Sequence, residues 1–179
     1  MTVNDSVLNK ARKIRLLVLD VDGVLTDGTL YFHADGSETK AFNSLDGHGI
    51  KMLQSSGVEV AIITGRRSPM VSQRAKALGI STVYQGREDK LVALKEVQQE
   101  KTLQWEQIAY CGDDLPDLAA IRMSGLGVTV PDAPEYMQQH SDYVCSKSGG
   151  HGAVRELCDL IMQTQGTLQD AIDHYLLGG

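Results

Sequence analysis

The 179-residue sequence has no long apolar run and no excess of basic residues. The apolar stretch before Asp20 ends after a few residues, and residues 1–15 are polar, so neither a membrane span nor a secretory signal is expected. The formal net charge of −6 argues against nucleic acid as a partner, because phosphate-backbone contacts need clustered lysine and arginine. A few local cations still suffice for a small phosphorylated ligand. We therefore expect a cytoplasmic protein that binds neither membranes nor nucleic acid.

Cysteine is also scarce. Cys111, Cys145 and Cys158 are an odd number at wide spacings that match no zinc-binding pattern, so reduced and mostly buried thiols are the simpler interpretation. Repeats, low-complexity tracts and linkers rich in proline or glycine are absent too, and nothing marks an internal domain boundary. The sequence predicts one domain over residues 1–179, with a C-terminal tail at 148–179.

Strand-like and helix-like segments alternate along the chain. Short runs of β-branched residues and leucine predict buried strands, and segments with apolar residues at helical spacing lie between them. The strands are predicted at 14–18, 58–63, 108–111, 127–130 and 142–145, and the helices around 50–53 and at 70–78, 91–97, 115–123 and 154–162. This alternation is typical of an α/β fold, with a doubly wound, mainly parallel, Rossmann-like sheet covered by helices on both faces.

One stretch interrupts the alternation. Two short strand-like runs, 29–33 and 38–42, flank a turn that contains Asp35 and Gly36, and Asp-Gly is a strong hairpin signal. The sequence therefore predicts a β-hairpin at 28–42 that protrudes just after the first strand.

Polar residues gather where the predicted strands end, which is where open parallel sheets bind their ligands. These residues are Asp20, Asp22, Thr64, Asp113, Asp114 and Asp117. Taken singly, each aspartate could equally form a turn or cap a helix. Residues two apart in an extended segment face the same way, so Asp20 and Asp22 can reach one site. Carboxylates from separate strands need a cation to lie together, and the oxygen ligands indicate Mg²⁺ and phosphoryl transfer.

The order of these motifs resembles that of the haloacid dehalogenase superfamily phosphatases. The run from Asp20 to Asp27, DVDGVLTD, is similar to the first family motif, and residues 63–66 to the second. Lys90 matches the third motif, and residues 112–114 with Asp117 match the fourth. The match extends over the whole catalytic domain, and its four motifs occur in the family's order.

This resemblance implies a mechanism through an aspartyl-phosphate. Asp20 would be the nucleophile, and Asp22 the general acid and then the general base. Thr64 and Lys90 would hold the phosphoryl oxygens. Mg²⁺ would be bound by the Asp20 carboxylate, the Asp22 main-chain carbonyl and Asp113. An aspartate at position 22 favours phosphate-ester hydrolysis, because haloacid-cleaving relatives do not need this acid.

A finer resemblance is to the 3-deoxy-D-manno-octulosonate 8-phosphate phosphatase family, which lacks a cap domain. It rests on residues 40–43, 46–51, 62–67 and 149–156 and spans nearly the full length. It implies a sugar acid phosphate as substrate, a homotetramer assembled by the hairpins, and a place in lipopolysaccharide biosynthesis. The implied substrate-binding residues are Asp22, Asn43, Ser44, Leu45, Asp46, Gly47, Lys51, Arg66, Arg74 and Lys90. Guanidinium groups suit such a substrate because they bind carboxylate and phosphate in two-pronged fashion.

Three alternatives remain open. The first is a phosphatase of another nonulosonate phosphate, such as a sialic acid 9-phosphate. The second is a signalling receiver domain, which also binds Mg²⁺ and is phosphorylated on aspartate. Its adjacent acidic residues follow the first strand, whereas here the adjacent pair comes last. The third is a non-catalytic oligomeric scaffold, which the complete set of motifs disfavours.

Overall fold

A six-stranded parallel sheet forms the centre of the structure, a computed structural model that describes residues 3–178. Its strands are β1 (Leu16–Leu19), β4 (Glu59–Thr64), β5 (Thr82–Gln85), β6 (Ile108–Cys111), β7 (Leu126–Thr129) and β8 (Tyr143–Val144), in the order β5-β4-β1-β6-β7-β8. Two further strands, β2 (Tyr31–Phe32) and β3 (Glu38–Thr39), form a separate antiparallel hairpin. The predicted α/β fold is confirmed.

Helices flank this sheet. They are α1 (Asp5–Ala11), α2 (Ser44–Ser55), α3 (Pro69–Leu78), α4 (Lys90–Lys101), α5 (Leu115–Met123), α6 (Glu135–Gln139), α7 (Ala153–Gln165) and α8 (Leu168–Leu176). Helix α2 packs against α7, and α4 packs against α5. None of the helices described is long and apolar enough to cross a membrane.

The strand order determines where a ligand can bind. After β1 the chain adds β4 and β5 on one side, and it then returns to add β6, β7 and β8 on the other. The direction of winding therefore reverses at β1 and β6, and a crevice opens at the carboxyl ends of strands on either side of such a switch point. All four residues of β1 are completely buried, which explains the unbroken apolar run in the sequence.

The predicted strands match the observed ones with shifts of one or two residues at their ends, whereas the helices are mostly longer than predicted: α2 begins at Ser44 and α4 ends at Lys101. The strand at 108–111 and the helix at 115–123 have the predicted bounds, whereas β1 begins two residues later than predicted. The prediction missed β5, whose four residues are all half-buried at the edge of the sheet and form no apolar run. It also missed α1, α6 and α8.

The hairpin lies where it was predicted, with shorter strands. Tyr31 pairs with Thr39, and Phe32 pairs with Glu38. The Asp35 carboxylate accepts hydrogen bonds from the backbone N–H and the hydroxyl of Ser37, at 2.9 and 2.7 Å, which closes the turn. Among residues 3–178 no cap domain follows this hairpin, so the carboxyl edge of the sheet is left open.

Candidate active site

A tight turn at the end of β1 presents the first two candidate carboxylates. The Val21 carbonyl accepts hydrogen bonds from the backbone N–H groups of Val24 and Thr26, at 3.2 and 3.0 Å. The chain thus folds back on itself directly after Asp20. Both Asp20 and Asp22 line the cleft that lies beyond the strand.

That cleft has a volume of about 410 Å³ and lies at the carboxyl ends of β1, β4 and β6. It brings together residues that are up to 97 positions apart in the sequence, from 20 to 117. The predicted residues among its lining are Asp20, Asp22, Thr64, Arg66, Lys90, Asp113, Asp114 and Asp117, and the lining also includes Glu88, which was not predicted.

A buried lysine lies between two of the carboxylates. Lys90 Nζ is 2.9 Å from Asp20 Oδ1 and 2.9 Å from Asp117 Oδ1. The Tyr110 hydroxyl also donates to Asp117 Oδ1, at 2.7 Å. Burial alone would lower the pKa of Lys90, but the charges of Asp20 and Asp117 outweigh it and raise that pKa. Lys90 is therefore a permanent cation at the floor of the cleft.

The remaining charge in this region is negative. Oxygen atoms of Asp20, Asp113 and Asp117 lie within 4.8 Å of one another, and Lys90 is the cation among them. Burial, and then the charges of Asp20 and Asp117, raise the pKa of Asp113 to about 7. Burial also raises the pKa of Asp20. Three carboxylates held together against these penalties form a site that a cation would stabilise.

The geometry of the cluster fits a small hard cation. Among the residues that the structure describes, the buried Asp20 Oδ1 has no hydrogen-bond donor in good geometry, although the Lys90 ammonium lies 2.9 Å away. Gly23 has a φ of +88°, and a Cβ at this position would lie 2.0 Å from Asp113 Oδ2. Only glycine allows the first loop to approach Asp113 so closely. The carboxylate oxygens are the donors that Mg²⁺ prefers, so the residues present fit this ion.

Asp22 is tied to the hairpin. It forms an ion pair with Lys40, and its Oδ2 atom is 3.8 Å from Arg66 Nε. Arg66 in turn pairs with Glu38, with 2.7 Å between Nη2 and Oε2, and its guanidinium lies 5.9 Å from the ring centroid of Phe32. The hairpin therefore supplies two charged partners to the wall of the cleft.

Other predicted substrate-binding residues lie outside the cleft, around the start of α2. The Asn43 side chain accepts a hydrogen bond from the Leu45 N–H, at 2.8 Å, and donates one to the Gly150 carbonyl, at 3.1 Å. Arg74 Nη2 donates to the Asn43 carbonyl, at 3.0 Å, and its guanidinium lies 5.7 Å from the Phe42 ring centroid. In the single chain, Asn43 and Arg74 join helices and loops instead of lining the cleft.

The rest of this group is divided between buried and exposed positions. Asp46 is buried and accepts a hydrogen bond from the Arg155 N–H, at 2.8 Å, and burial raises its pKa. Gly47 lies under Arg74, since a Cβ there would be 2.2 Å from Arg74 Nη2. Ser44 and Leu45 are exposed, and Lys51 lines a separate cavity between α2 and α8. The single chain does not bring these residues to the carboxylates of the cleft.

The C-terminal glycine motif packs behind the first loop. The Gly150 N–H donates to the Val24 carbonyl, at 3.0 Å. A Cβ at Gly149 would lie 1.8 Å from the Gly23 carbonyl oxygen, so any other residue at 149 would push the loop away. The two glycines thus fix the position of the loop that carries Asp20 and Asp22.

Besides Glu88 in the lining, sequence reasoning missed three groups that pair with charged residues of the site. Glu38 and Lys40 had no assigned role, although their spacing of two residues on an extended segment points both toward one face. Tyr110 lies in a strand that reads as purely apolar, yet a buried tyrosine hydroxyl normally needs a hydrogen-bond partner, and here it has Asp117.

Comparison with known proteins identifies the family. Residues 80–157 match the family model of the haloacid dehalogenase-like hydrolases. The chain is 47% identical to the 3-deoxy-D-manno-octulosonate 8-phosphate phosphatase KdsC of Escherichia coli (strain K12) over 169 residues, which cover 94% of this chain and 90% of that protein.

Solved structures agree with this relationship. The phosphatase of the same name from Moraxella catarrhalis, crystallised with a magnesium ion, a phosphate ion and a KDO molecule, has a TM-score of 0.94 at 46% identity, covering 96% of this chain and 98% of that one. A probable YrbI family phosphatase from Pseudomonas syringae pv. phaseolica has a TM-score of 0.96 at 52% identity, covering 98% of this chain and 100% of that one. The chain therefore belongs to the haloacid dehalogenase-like hydrolases and, within them, to the family of 3-deoxy-D-manno-octulosonate 8-phosphate phosphatases.

Proposed function

We propose that the chain is a Mg²⁺-dependent phosphatase that hydrolyses 3-deoxy-D-manno-octulosonate 8-phosphate to the free sugar acid and phosphate. The observation that carries this proposal is the cleft, where Asp20, Asp22 and Asp113 meet the buried Lys90 at the strand ends. The substrate is inferred from relatives that act on this compound and are 47% identical over most of the chain. We also propose a cytoplasmic location and a place in lipopolysaccharide biosynthesis, and the three buried, unpaired cysteines agree with a reducing compartment.

In the proposed reaction each side chain of the cleft has a separate role. A carboxylate oxygen of Asp20 attacks phosphorus, and a new O–P bond forms as the ester O–P bond breaks. Asp22 donates a proton to the departing alcohol oxygen and later accepts one from the water that hydrolyses the aspartyl-phosphate. Thr64 and Lys90 hold the phosphoryl oxygens. Asp20, Asp113 and the Asp22 carbonyl would hold Mg²⁺, which would offset the negative charge of the transferring group.

A panel of phosphate esters tests the substrate. Phosphate release should be fastest with 3-deoxy-D-manno-octulosonate 8-phosphate, slower with a sialic acid 9-phosphate, and slowest with simple sugar phosphates that lack a carboxylate. Preference for the sialic acid ester would establish the alternative substrate class. Phosphorylation of Asp20 without turnover of any ester would instead favour the receiver-domain interpretation.

Arg66 should contribute to this preference because its guanidinium lies in the cleft wall, 41% exposed. We expect Arg66→Ala to lower kcat/KM for the sugar acid phosphate by about 10–100-fold, the value of a charged hydrogen bond. The loss with p-nitrophenyl phosphate, which has no carboxylate, should be much smaller. Arg67→Ala is the matched control, since Arg67 is an exposed neighbour that does not line the cleft. An equal loss with both substrates would remove Arg66 from substrate recognition.

We further propose that the chain is a homotetramer assembled through the hairpins. Tyr31 and Phe32 are 47% and 65% exposed on a two-stranded ribbon, which is too small to stabilise itself. The exposed Ser44, Leu45 and Lys51, which lie outside the cleft of their own chain, would then be available to the cleft of another subunit.

Light scattering tests this assembly. Tyr31→Glu should convert the tetramer to smaller species at micromolar concentration and lower activity on the sugar acid phosphate more than on p-nitrophenyl phosphate. Val92→Glu introduces the same charge at an exposed apolar residue of α4 and should leave the assembly intact. A wild-type monomer with full activity on its best substrate would contradict the proposal.

A further inference from the structure

Lys40, at the base of the hairpin, contacts the carboxylate to which we assign proton transfer. Lys40 Nζ forms an ion pair with Asp22 Oδ1, and the lysine side chain is only 3% exposed. The Asp22 side chain is 21% exposed and lines the cleft, whereas Lys40 does not line it. Lys40 therefore contacts Asp22 from the side that faces away from the cleft, and it is not placed to touch a substrate.

The two oxygens of Asp22 have different surroundings. Oδ1 accepts the hydrogen bond from Lys40. Oδ2 is 3.8 Å from Arg66 Nε, beyond hydrogen-bonding distance, and it accepts no hydrogen bond from the residues that the structure describes. Arg66 is itself held by Glu38 at 2.7 Å. Oδ2 is thus the oxygen left free to exchange a proton.

The hairpin strand explains how both contacts arise. Glu38 and Lys40 are two residues apart in an extended segment, so their side chains point to the same face, toward Arg66 and Asp22. Thr39 points to the other face, where its hydroxyl is 2.8 Å from His33 Nε2. A shift of one residue in the pairing of β2 with β3 would remove both charged contacts at once.

We propose that Lys40 is a positioning residue that holds Asp22 by Oδ1, so that Oδ2 is the atom that transfers the proton. The proposal rests on the proposed function in one respect, the role of Asp22. As the ester O–P bond breaks, its electron pair stays on the departing oxygen, which takes the proton from Oδ2. A carboxylate without Lys40 would rotate, and Oδ2 would no longer face the departing oxygen.

Two aryl phosphates of nearly the same shape separate this role from a structural one. Phenyl phosphate releases a strongly basic oxygen that needs a proton, and p-nitrophenyl phosphate releases one that does not. The parameter to compare is kcat/KM, because it reports the steps up to release of the alcohol and excludes hydrolysis of the aspartyl-phosphate.

Lys40→Met keeps the length of the side chain and removes its charge. We expect it to lower kcat/KM for phenyl phosphate by about 10-fold or more, the size typical of losing a group that orients a reacting residue. The loss for p-nitrophenyl phosphate should stay below about 3-fold, because this leaving group bypasses the acid. Asp22→Asn should show the same selectivity more strongly, and Lys40→Met combined with Asp22→Asn should be no worse than Asp22→Asn alone.

Controls keep the result interpretable. Lys40→Arg retains a cation and should recover most of the activity on phenyl phosphate, which also covers the case in which Lys40→Met fails to fold. Lys101→Met removes a partly exposed lysine that pairs with Glu59 at the far end of α4, and it should leave kcat/KM unchanged for both esters. An equal loss on both esters in Lys40→Met, or losses that multiply in the double variant, would overturn the proposal. Because neither ester is a sugar acid, a wrong substrate assignment would leave this comparison intact.

Discussion

Replacing Asp20 with asparagine is expected to abolish phosphate release, with a loss on the order of 10⁵-fold or more, as for the removal of other covalent nucleophiles. The amide is nearly the same size but cannot form the acyl phosphate, and it also removes one charge from the carboxylate cluster around Lys90. Rapid acid quenching of the wild-type enzyme should trap phosphate on the peptide that contains residue 20. The same peptide from Asp20→Asn should carry none.

Two further variants serve as comparisons for Asp20→Asn. Asp22→Asn removes only the group proposed to carry the proton, and it should lower activity less, by about 10²–10⁴-fold. Asp132→Asn changes an exposed aspartate outside the cleft and should behave as wild type. Near-normal turnover by an Asp20→Asn preparation shown to be free of other phosphatases would refute the assignment of the nucleophile.

Removal of Mg²⁺ is expected to stop turnover completely, and addition of Mg²⁺ should restore it. Asp20, Asp113 and Asp117 place three carboxylates around one lysine. Without the cation, the negative charge of this cluster would repel a dianionic phosphate. The measurement is phosphate release after exhaustive chelation and stepwise addition of Mg²⁺. Asp113→Asn should need much more Mg²⁺ for half-maximal activity. Full activity in the chelated enzyme would contradict the mechanism.

The stability of the metal-free protein, and the stabilisation by Mg²⁺, should both depend on pH, and the pKa of Asp113 gives the direction of each change. The pKa of Asp113 is raised from its ordinary 3.8 to about 7, so the metal-free folded protein binds a proton that the unfolded chain has lost. The free energy of unfolding of the metal-free protein should therefore fall as pH rises between about 4 and 7. Protons compete with the cation over that window, so Mg²⁺ should raise Tm more at about pH 8 than at about pH 6. In Asp113→Asn this difference should shrink.

The sequence was sufficient for the parts of the fold that depend on local composition. The strand that ends at Cys111 was predicted with its observed bounds, because every residue of it is buried and apolar in character. Because open parallel sheets bind ligands at the carboxyl ends of their strands, Asp20, Thr64 and Asp113 were expected to share one cleft. In the structure all three line the same cleft. β5 was missed because an edge strand with four half-buried residues has neither an apolar run nor a clean alternation.

Contacts between residues far apart in the sequence could not be predicted from local composition. The pairing of Lys40 with Asp22, and of Asn43 with Gly150, depends on how the hairpin and α2 pack on the sheet, which no local pattern encodes. Arg74 was expected to bind an anionic group of the substrate. In the single chain it donates a hydrogen bond to the Asn43 carbonyl instead. Its proposed role in binding substrate depends on a second subunit or on a change of side-chain conformation. The light-scattering experiment tests whether a second subunit is present.

The packing of Gly149 and Gly150 against the first loop has a consequence for biosynthesis. The loop carries Asp20 and Asp22, yet the backbone that presses against it is translated more than a hundred residues later. While those later residues are still inside the ribosomal tunnel, a nascent chain has the loop with Asp20 and Asp22 but lacks the backbone that holds this loop in place. Premature termination between positions 117 and 149 would thus produce a polypeptide that retains every carboxylate of the cleft without a fixed arrangement of them.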